Sequence, residues 1–307
     1  MFRQSLVKIL LIVVLLLARV VGAMPLEVTE VSPGIFVHQG VHEDFGEHYH
    51  GDIANIGFVV GQDAVAVIDS GGTYAVGKAL REAIRLRTAL PVRYVINTHV
   101  HSDHIFGNAA FAEDQPDYIG HHQLPRAIRQ RAESYLTNIQ TMLGEAANGS
   151  RLVPPTRLVE SILILDLGNR KLVLRAWPVA HTDNDLTVMD ERSGTLWTGD
   201  LLFSERTPSI DGDIHGWLAV IKELVAMPAR LVIPGHGPVS AEKNTALEKQ
   251  RLYLQTLLDD VRRGIKDGQT MTQTLSNAAR AEEQKWVLFG TVNPRNAAML
   301  YPVLEWE

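Results

Sequence analysis

With 307 residues, the chain is long enough for one large α/β domain with additions. Its 29 basic and 35 acidic side chains leave a net charge of -6, and no basic stripe interleaved with aromatics appears, which sets nucleic-acid binding aside. The absence of cysteine excludes disulfides, thiolate catalysis and cysteine-ligated zinc, so any transition-metal site must be built from His, Asp and Glu.

The first residues, "MFRQSLVKILLIVVLLLARVVGAMPLE", place Arg3 and Lys8 before a short apolar run, Ile9 to Ala18, and end in small residues before Ala23. This is the layout of a secretory signal over 1–23, cut after Ala23, with the working domain over 24–307 and a periplasmic or secreted location. An uncleaved anchor is the alternative. The uncharged run is shorter than the ~20 residues of a membrane span, and Arg19 interrupts it, so no membrane association is expected after cleavage.

Val28 to Val37 predicts a short strand, followed by a polar loop with His38, His42, His48 and His50. "NIGFVVG" and "AVAVIDSGG" are β-branched runs split by "GQD", a hairpin signal. Val76, Ala79, Leu80, Ala83 and Ile84 recur at helical spacing, which predicts a helix over Tyr74 to Leu90 ended by Pro91. "VRYVIN" is a buried strand that delivers "THVHSDH". After the strand "DYIG", Gln123 to Gly149 predicts one or two helices, an insertion over the site. A second hairpin, "ILILDLGN" with "KLVLRAWPVA", leads to His181, then to the strands "DLTVMD" and "GTLWTGDLLF". A helix follows from Trp217 to Met227, then the strand "RLVIPGHG". Residues 241–307 are largely helical, with one helix from Glu242 to Lys266 and a shorter one interrupted by Pro302. Two strand-rich halves, each followed by helices, predict two packed sheets with helices outside. The hairpins weigh against a flavodoxin-like parallel sheet.

"INTHVHSDHIFG" concentrates the chemistry. Residues two apart in extended chain face the same way, so His99 and His101 can grip one ion. Asp103 and His104 follow where the chain turns helical and can be redirected to a second ion. Four side chains in six residues crowd a single open site, because a catalytic zinc takes about four ligands including water. Further ligands stand at the C-terminal ends of other apolar strands: His181, Asp200 and His236. Five His and two Asp make two three-ligand sets and one shared carboxylate. Asp69, at the end of "VAVID", is placed to steady an imidazole, and equally to form the turn before "SGG". Thr98 and Ser102 fit loop hydrogen-bonders, His121 and His122 surface residues, and Trp217 core. His215 could reach the pocket. The loop histidines His42, His48 and His50 fit a solvated loop, the substrate mouth or a further metal site.

"HVHSDH", "HTDND", "TGDLLF" and "IPGHG" together resemble the motif series of the metallo-β-lactamase superfamily. The resemblance implies an αββα sandwich of two mixed sheets with outer helices. It implies His99, His101 and His181 on one metal, Asp103, His104 and His236 on a second, and Asp200 bridging. The segments "HGDIANIGFVVG", "YVINTHVHSDHIFGNAAF" and "NPRNAAMLYPVLEWE" are most similar to exported zinc hydrolases associated with quinoprotein dehydrogenase relays and with sulfur-oxidation gene sets. This implies two Zn2+ ions, a small-molecule substrate and association with such a relay. Where many members carry T-x-G-H after the third His, this chain has "TDND", which leaves Asp183 or Asp185 to support that loop. The activity implied is hydrolysis of an ester, thioester, lactone or lactam by a metal-bridged hydroxide, with Asp103 as ligand and orienter. No G-x-S-x-G elbow competes with it. The alternatives are a persulfide dioxygenase with one Fe2+ and a non-catalytic periplasmic metal-binding protein.

Overall fold

Pro33 and Gly34 break the first apolar run, so the stretch expected as one strand folds back as two, β1 (Thr29–Ser32) and β2 (Ile35–His38). The computed structural model describes residues 24–46 and 49–307; the signal-like segment and His48 lie outside the described residues. The "GQD" turn joins β3 (Ile56–Val60) to β4 (Val65–Ile68) as an antiparallel hairpin, with Phe58 opposite Val67. From there the chain crosses through α1 (Tyr74–Arg85) to β5 (Val92–Ile96), then runs through a one-turn helix, α2 (Ser102–Ile105), and a 3-10 stretch (Phe106–Asp114) to β6 (Asp117–His121). The insertion is one long helix, α3 (Leu124–Leu143), before β7 (Arg157–Val159). These strands form one sheet in the order β1-β2-β3-β4-β5-β6-β7, antiparallel as far as β4 and parallel from there.

The second sheet holds β8 (Ile162–Asp166), β9 (Lys171–Ala176), β10 (Leu186–Asp190), β11 (Thr195–Phe203) and β12 (Leu231–His236), in the order β12-β11-β10-β9-β8. Only β11 and β12 run parallel, because α4 (Ile214–Ala226) carries the chain across between them. The helices α5 (Lys243–Lys266), α6 (Met271–Asn277) and α7 (Phe289–Leu304) close the chain.

Strand alternation builds the layers. Ala66 and Ile68 of β4 face Val188, Trp197 and Ile233 between the sheets, while Val65 and Val67 point out against Leu80, Ile84 and Phe111. On the far side, Leu196 and Leu202 pack with Trp217, Val220, Leu254 and Leu257. The molecule is an αββα sandwich of two mixed sheets. Among the described residues, no helix is long and apolar enough to cross a membrane.

Two helix expectations need correction. α1 stops at Arg85 rather than Leu90, because Leu86 points to solvent and the N–H groups of Arg87 and Thr88 both fold back on the Ile84 carbonyl. Pro302 does not interrupt the last helix; α7 contains both Pro294 and Pro302 and runs on to Leu304.

A buried ion pair ties the two sheets. Arg170, in the turn between β8 and β9, donates from Nε and Nη2 to the two oxygens of Asp190, each at 2.9 Å. Its Nη1 donates across the sandwich to the Pro33 and Val60 carbonyls. Replacing Arg170 with Met leaves the buried Asp190 carboxylate with Ser193 as its remaining donor and no counter-charge, and takes a donor from both carbonyls. The expected loss is about 3–5 kcal/mol in urea unfolding, and a loss below about 1 kcal/mol would show that the pair is dispensable.

Candidate metal centre

Strand β5 ends at the loop that carries the His-rich motif, and side-chain amides hold that loop. Asn97 and Asn108 exchange two hydrogen bonds at 3.1 and 2.7 Å, and the Ser70 hydroxyl donates to Asn108 at 2.7 Å. His181 sits on the loop between β9 and β10. Asp200 lies within β11 at an irregularity in its register with β12, which turns its carboxylate out of the ladder. His236 ends β12, and Gly235 before it permits the approach: a Cβ there would stand 1.9 Å from Asp200 Oδ1. Asn55 braces the same turn by donating to the Pro234 and Gly237 carbonyls.

The outward nitrogen of each histidine has an acceptor. His181 Nδ1 donates to the Ser209 carbonyl at 2.8 Å, and His236 Nδ1 to the Ile53 carbonyl at 2.7 Å. His104 Nδ1 lies 2.8 Å from Asp69 Oδ2, and His101 Nε2 lies 3.0 Å from Asp211 Oδ2. The Thr98 hydroxyl donates to Asp69 at 2.7 Å, which leaves its lone pair for His99 Nδ1 at 3.0 Å. These partners assign the tautomers: in the neutral rings every proton points outward and every inward nitrogen is a lone pair.

The inward atoms therefore face one another as acceptors. His101 Nδ1 and His181 Nε2 are 3.1 Å apart. Asp200 Oδ2 lies 3.6, 3.4 and 3.4 Å from the Nε2 atoms of His99, His181 and His236, and Oδ1 lies 3.2 Å from His104 Nε2. Asp103 Oδ2 is 3.4 Å from His236 Nε2. Ligand atoms about 2.0–2.1 Å from a tetrahedral zinc stand roughly 3.3 Å apart, so this spacing fits a metal ion. His99 Nε2, His104 Nε2 and Asp200 Oδ1 are buried without a hydrogen-bond partner, and a cation is what they lack. The donors fall into two groups, His99, His101, His181 and Asp200, and Asp103, His104 and His236. Burial holds His99 well below its ordinary pKa and His181 at about 3, so both stay neutral. Burial also works against His104, but Asp200, Asp103 and Asp69 raise it well above its ordinary value. This ring recruits a positive charge, whether a proton or a metal ion.

A sequence model described as the metallo-beta-lactamase superfamily matches residues 50–236, from just before β3 to His236 at the end of β12. The chain belongs to the metallo-beta-lactamase superfamily. Among solved structures it is similar to the stereoselective inverting sec-alkylsulfatase Pisa1 from Pseudomonas sp., at 14% identity and a TM-score of 0.70, over 90% of this chain and 50% of that one. It is also similar to a metallo-beta-lactamase from Pontibacter korlensis, at 19% identity and a TM-score of 0.58, over 75% of this chain and 98% of that one. The chain spans about half the length of the alkylsulfatase structures it matches. At these identities the likeness is one of fold.

Around this superfamily centre, the structure brings together all seven ligands named from sequence, with Asp69 beside them. Asp69 holds a left-handed φ of 53° while accepting from Thr98 N, Thr98 Oγ1 and His104. That conformation costs of order 1–3 kcal/mol in a residue with a Cβ. Asp185 touches no imidazole. It accepts from the Thr182 N–H and hydroxyl and shapes the loop after His181, and burial raises its carboxyl to about 7. Asp183 accepts only from the Asn184 amide.

The other histidines stand apart from the metal ligands. His38 bonds Asp52 and the Glu27 carbonyl, His42 lies 3.6 Å from Glu205, and His50 is exposed. His215 pairs with Glu307 at the surface and does not reach the pocket. His121, expected at the surface, is buried, because its strand position turns it in to bond the Trp177 carbonyl. Trp217 is core, edge-on to His181 at 5.1 Å.

Sequence reasoning missed Asp211, Ser209 and Ile53, which orient three of the five imidazoles. Two of them act through backbone carbonyls, which no residue type announces. A cleft of about 610 Å³ opens on His101, Asp103, Asp200 and His236, walled by α3, by the segment after β11 and by α7. α7 clamps that segment: Asn296 accepts from Ile210 N–H at 3.0 Å and donates to the Pro208 carbonyl at 2.6 Å.

Asp69→Asn tests the outer support, since Asn tolerates the left-handed conformation while the charge and one acceptor oxygen are lost. Metal affinity, measured by competition with a chromogenic chelator, should fall about 10–100-fold. Unchanged affinity would mean that Asp69 serves the turn alone.

Proposed function

We propose that the protein is a dinuclear zinc hydrolase acting on a carbonyl of an ester, thioester, lactone or lactam. One observation carries this reading: five imidazole lone pairs and two carboxylates converge without a donor among them and open on a cleft. Two donor groups joined through Asp200 support two ions rather than one, and an all-nitrogen and oxygen set suits zinc.

Zinc, when bound, supplies Lewis acidity and a water made acidic enough to ionise near neutral pH. The chain's own residues do the rest. Asp103 faces His236 with one oxygen, which leaves the other to orient the attacking water. Trp217 and Phe203 pack edge-on against His181, and Phe203 stacks on His236, which shields these rings from bulk water. Burial holds the Tyr49 hydroxyl protonated in the cleft wall, where it can donate to oxygen that gains charge.

The signal-like sequence over 1–23 supports export to the periplasm or beyond, and the closing "NPRNAAMLYPVLEWE" supports work beside a quinoprotein dehydrogenase relay. The alkylsulfatase and lactamase folds add sulfate esters and β-lactams to the substrates worth assaying.

Elemental analysis of the purified protein should give two zinc per chain, and a single iron would turn the reading to persulfide oxidation. A panel of esters, thioesters, lactones, β-lactams and alkyl sulfates should show turnover that a chelator abolishes and zinc restores. His236→Ala and Asp200→Asn should each lower it by about a hundredfold or more. Full activity in either variant would falsify the two-metal hydrolase.

A further inference from the structure

Four strands form the outer edges of the two sheets, and three of those edges are blunted. β1 carries a bulge between Glu30 and Ser32 and runs into Pro33. β7 is three residues long and follows closely on Pro154 and Pro155. β12 is covered by its own chain: the Val232 N–H donates to the Ser240 carbonyl at 2.8 Å, and the Ser240 N–H returns the bond at 3.0 Å. Bulges, prolines, short length and covering loops keep a sheet edge from taking up another strand.

β8 has none of these protections. Its five residues hold a regular register with β9, contain no proline and carry no charge before Asp166. The Ala176 N–H donates to the Ser161 carbonyl at 2.7 Å, and the Leu167 N–H donates to the Arg170 carbonyl at 2.8 Å. The odd-numbered residues therefore bond β9. By alternation, the N–H and C=O groups of Ile162, Ile164 and Asp166 point off the edge. Among the described residues, no strand meets them. Their side chains share the outer face of the sheet, where α4 reaches β9 through the Glu223–Arg175 pair and leaves β8 open. Ile162 is 61% exposed and Ile164 55%, and no other isoleucine among the described residues is exposed.

We infer that β8 is a dimerisation strand whose occupant is β8 of a second copy, paired antiparallel about a twofold axis at Ile164. Backbone parity allows this, because even-numbered residues then oppose even-numbered residues, and all of them point off the edge. Ile164 faces its twin, and Ile162 faces Asp166 on either side of the axis. Each opposed pair exchanges two hydrogen bonds, about six in all.

Charge chooses the register. A twofold at Leu163 would set Glu160 against Asp166, like charges directly opposite each other. At Ile164 the isoleucines of both copies meet in the middle of the face. Each Asp166 then falls between its own Lys171 and, two strands away, the second copy's Arg175. One strand thus offers both halves of the joint, as a twofold interface requires. The two five-stranded sheets become one continuous sheet, and each loses its open edge.

Sedimentation equilibrium of the full chain should find a dimer at low micromolar concentration. Ile164→Lys sets two ammonium groups face to face at the axis and should raise the dissociation constant about a hundredfold or more. Melting temperature and metal content should stay as in wild type, because the side chain is exposed, and they show that the monomer is folded. The chain has no cysteine, so single replacements report contact directly. Ile164→Cys stands about 5.5 Å from its twin, Cα to Cα, and should cross-link on oxidation. Ile162→Cys lies about 14 Å from its twin and should not. A monomeric wild type overturns the proposal, as does a dimer undiminished by Ile164→Lys. So does a cross-link through Ile162→Cys in place of Ile164→Cys, or a different polypeptide that co-purifies on this edge in stoichiometric amount. None of these results bears on the hydrolase reading.

Discussion

Seven groups whose inward atoms, in the neutral rings, are all acceptors stand 3.1 to 3.6 Å from their neighbours, an arrangement that an added positive charge makes favourable. Each outward hydrogen bond that fixes a tautomer also removes the means by which two rings could satisfy each other. The rest of the structure supplies the conditions for this. Parallel pairing of β4 with β5 and of β11 with β12 brings strand ends to one edge of the sandwich. The strain at Asp69 and the irregularity in β11 are local departures from regular structure at the points where a ligand or its support must leave the ladder. Metal binding and folding are coupled as a result, because the apo protein must hold these acceptors against one another.

The ligands were legible in sequence because the chemistry leaves a dense local trace: four donor residues in six, and three more at strand ends. The two hairpins were legible from their turns, and they decide between a sandwich and a parallel sheet. What the sequence concealed depends on partners far along the chain. Asn55 reaches Gly237, 182 residues on, and Arg131 reaches Asp211, 80 residues on. Neither pairing has a spacing that could be searched for. Pro33 and Gly34 were readable as a turn, and the single strand expected from Val28 to Val37 undervalued them. The end of α1 was concealed for another reason: Pro91 is a visible stop, but Leu86 had already run out of anything to pack against.

The candidate metal ligands and the cleft walls draw on different parts of the chain. The ligands come from strand ends of the sandwich. The cleft walls come from the insertion helix α3, the loop around Tyr49, the segment after β11 and helix α7. The Arg131–Asp211 pair joins these systems, since Asp211 also orients His101. A change in α3 that moves Arg131 therefore reaches His101 through one carboxylate, so the cleft wall is not free to shift independently of the metal centre.

The clamp made by Asn296 extends the working unit past the residues that carry the family likeness. The family likeness ends at residue 236, and every ligand lies within it. Yet Ser209 and Asp211, which orient two of the imidazoles, sit on a segment stapled down by Asn296 and Val287. A chain cut after His236 would retain the whole ligand set with its orienting partners and lose the staples, Asn296 and Val287, that hold Ser209 and Asp211 in place. The final helices are thus a tail by position and a keystone by mechanics.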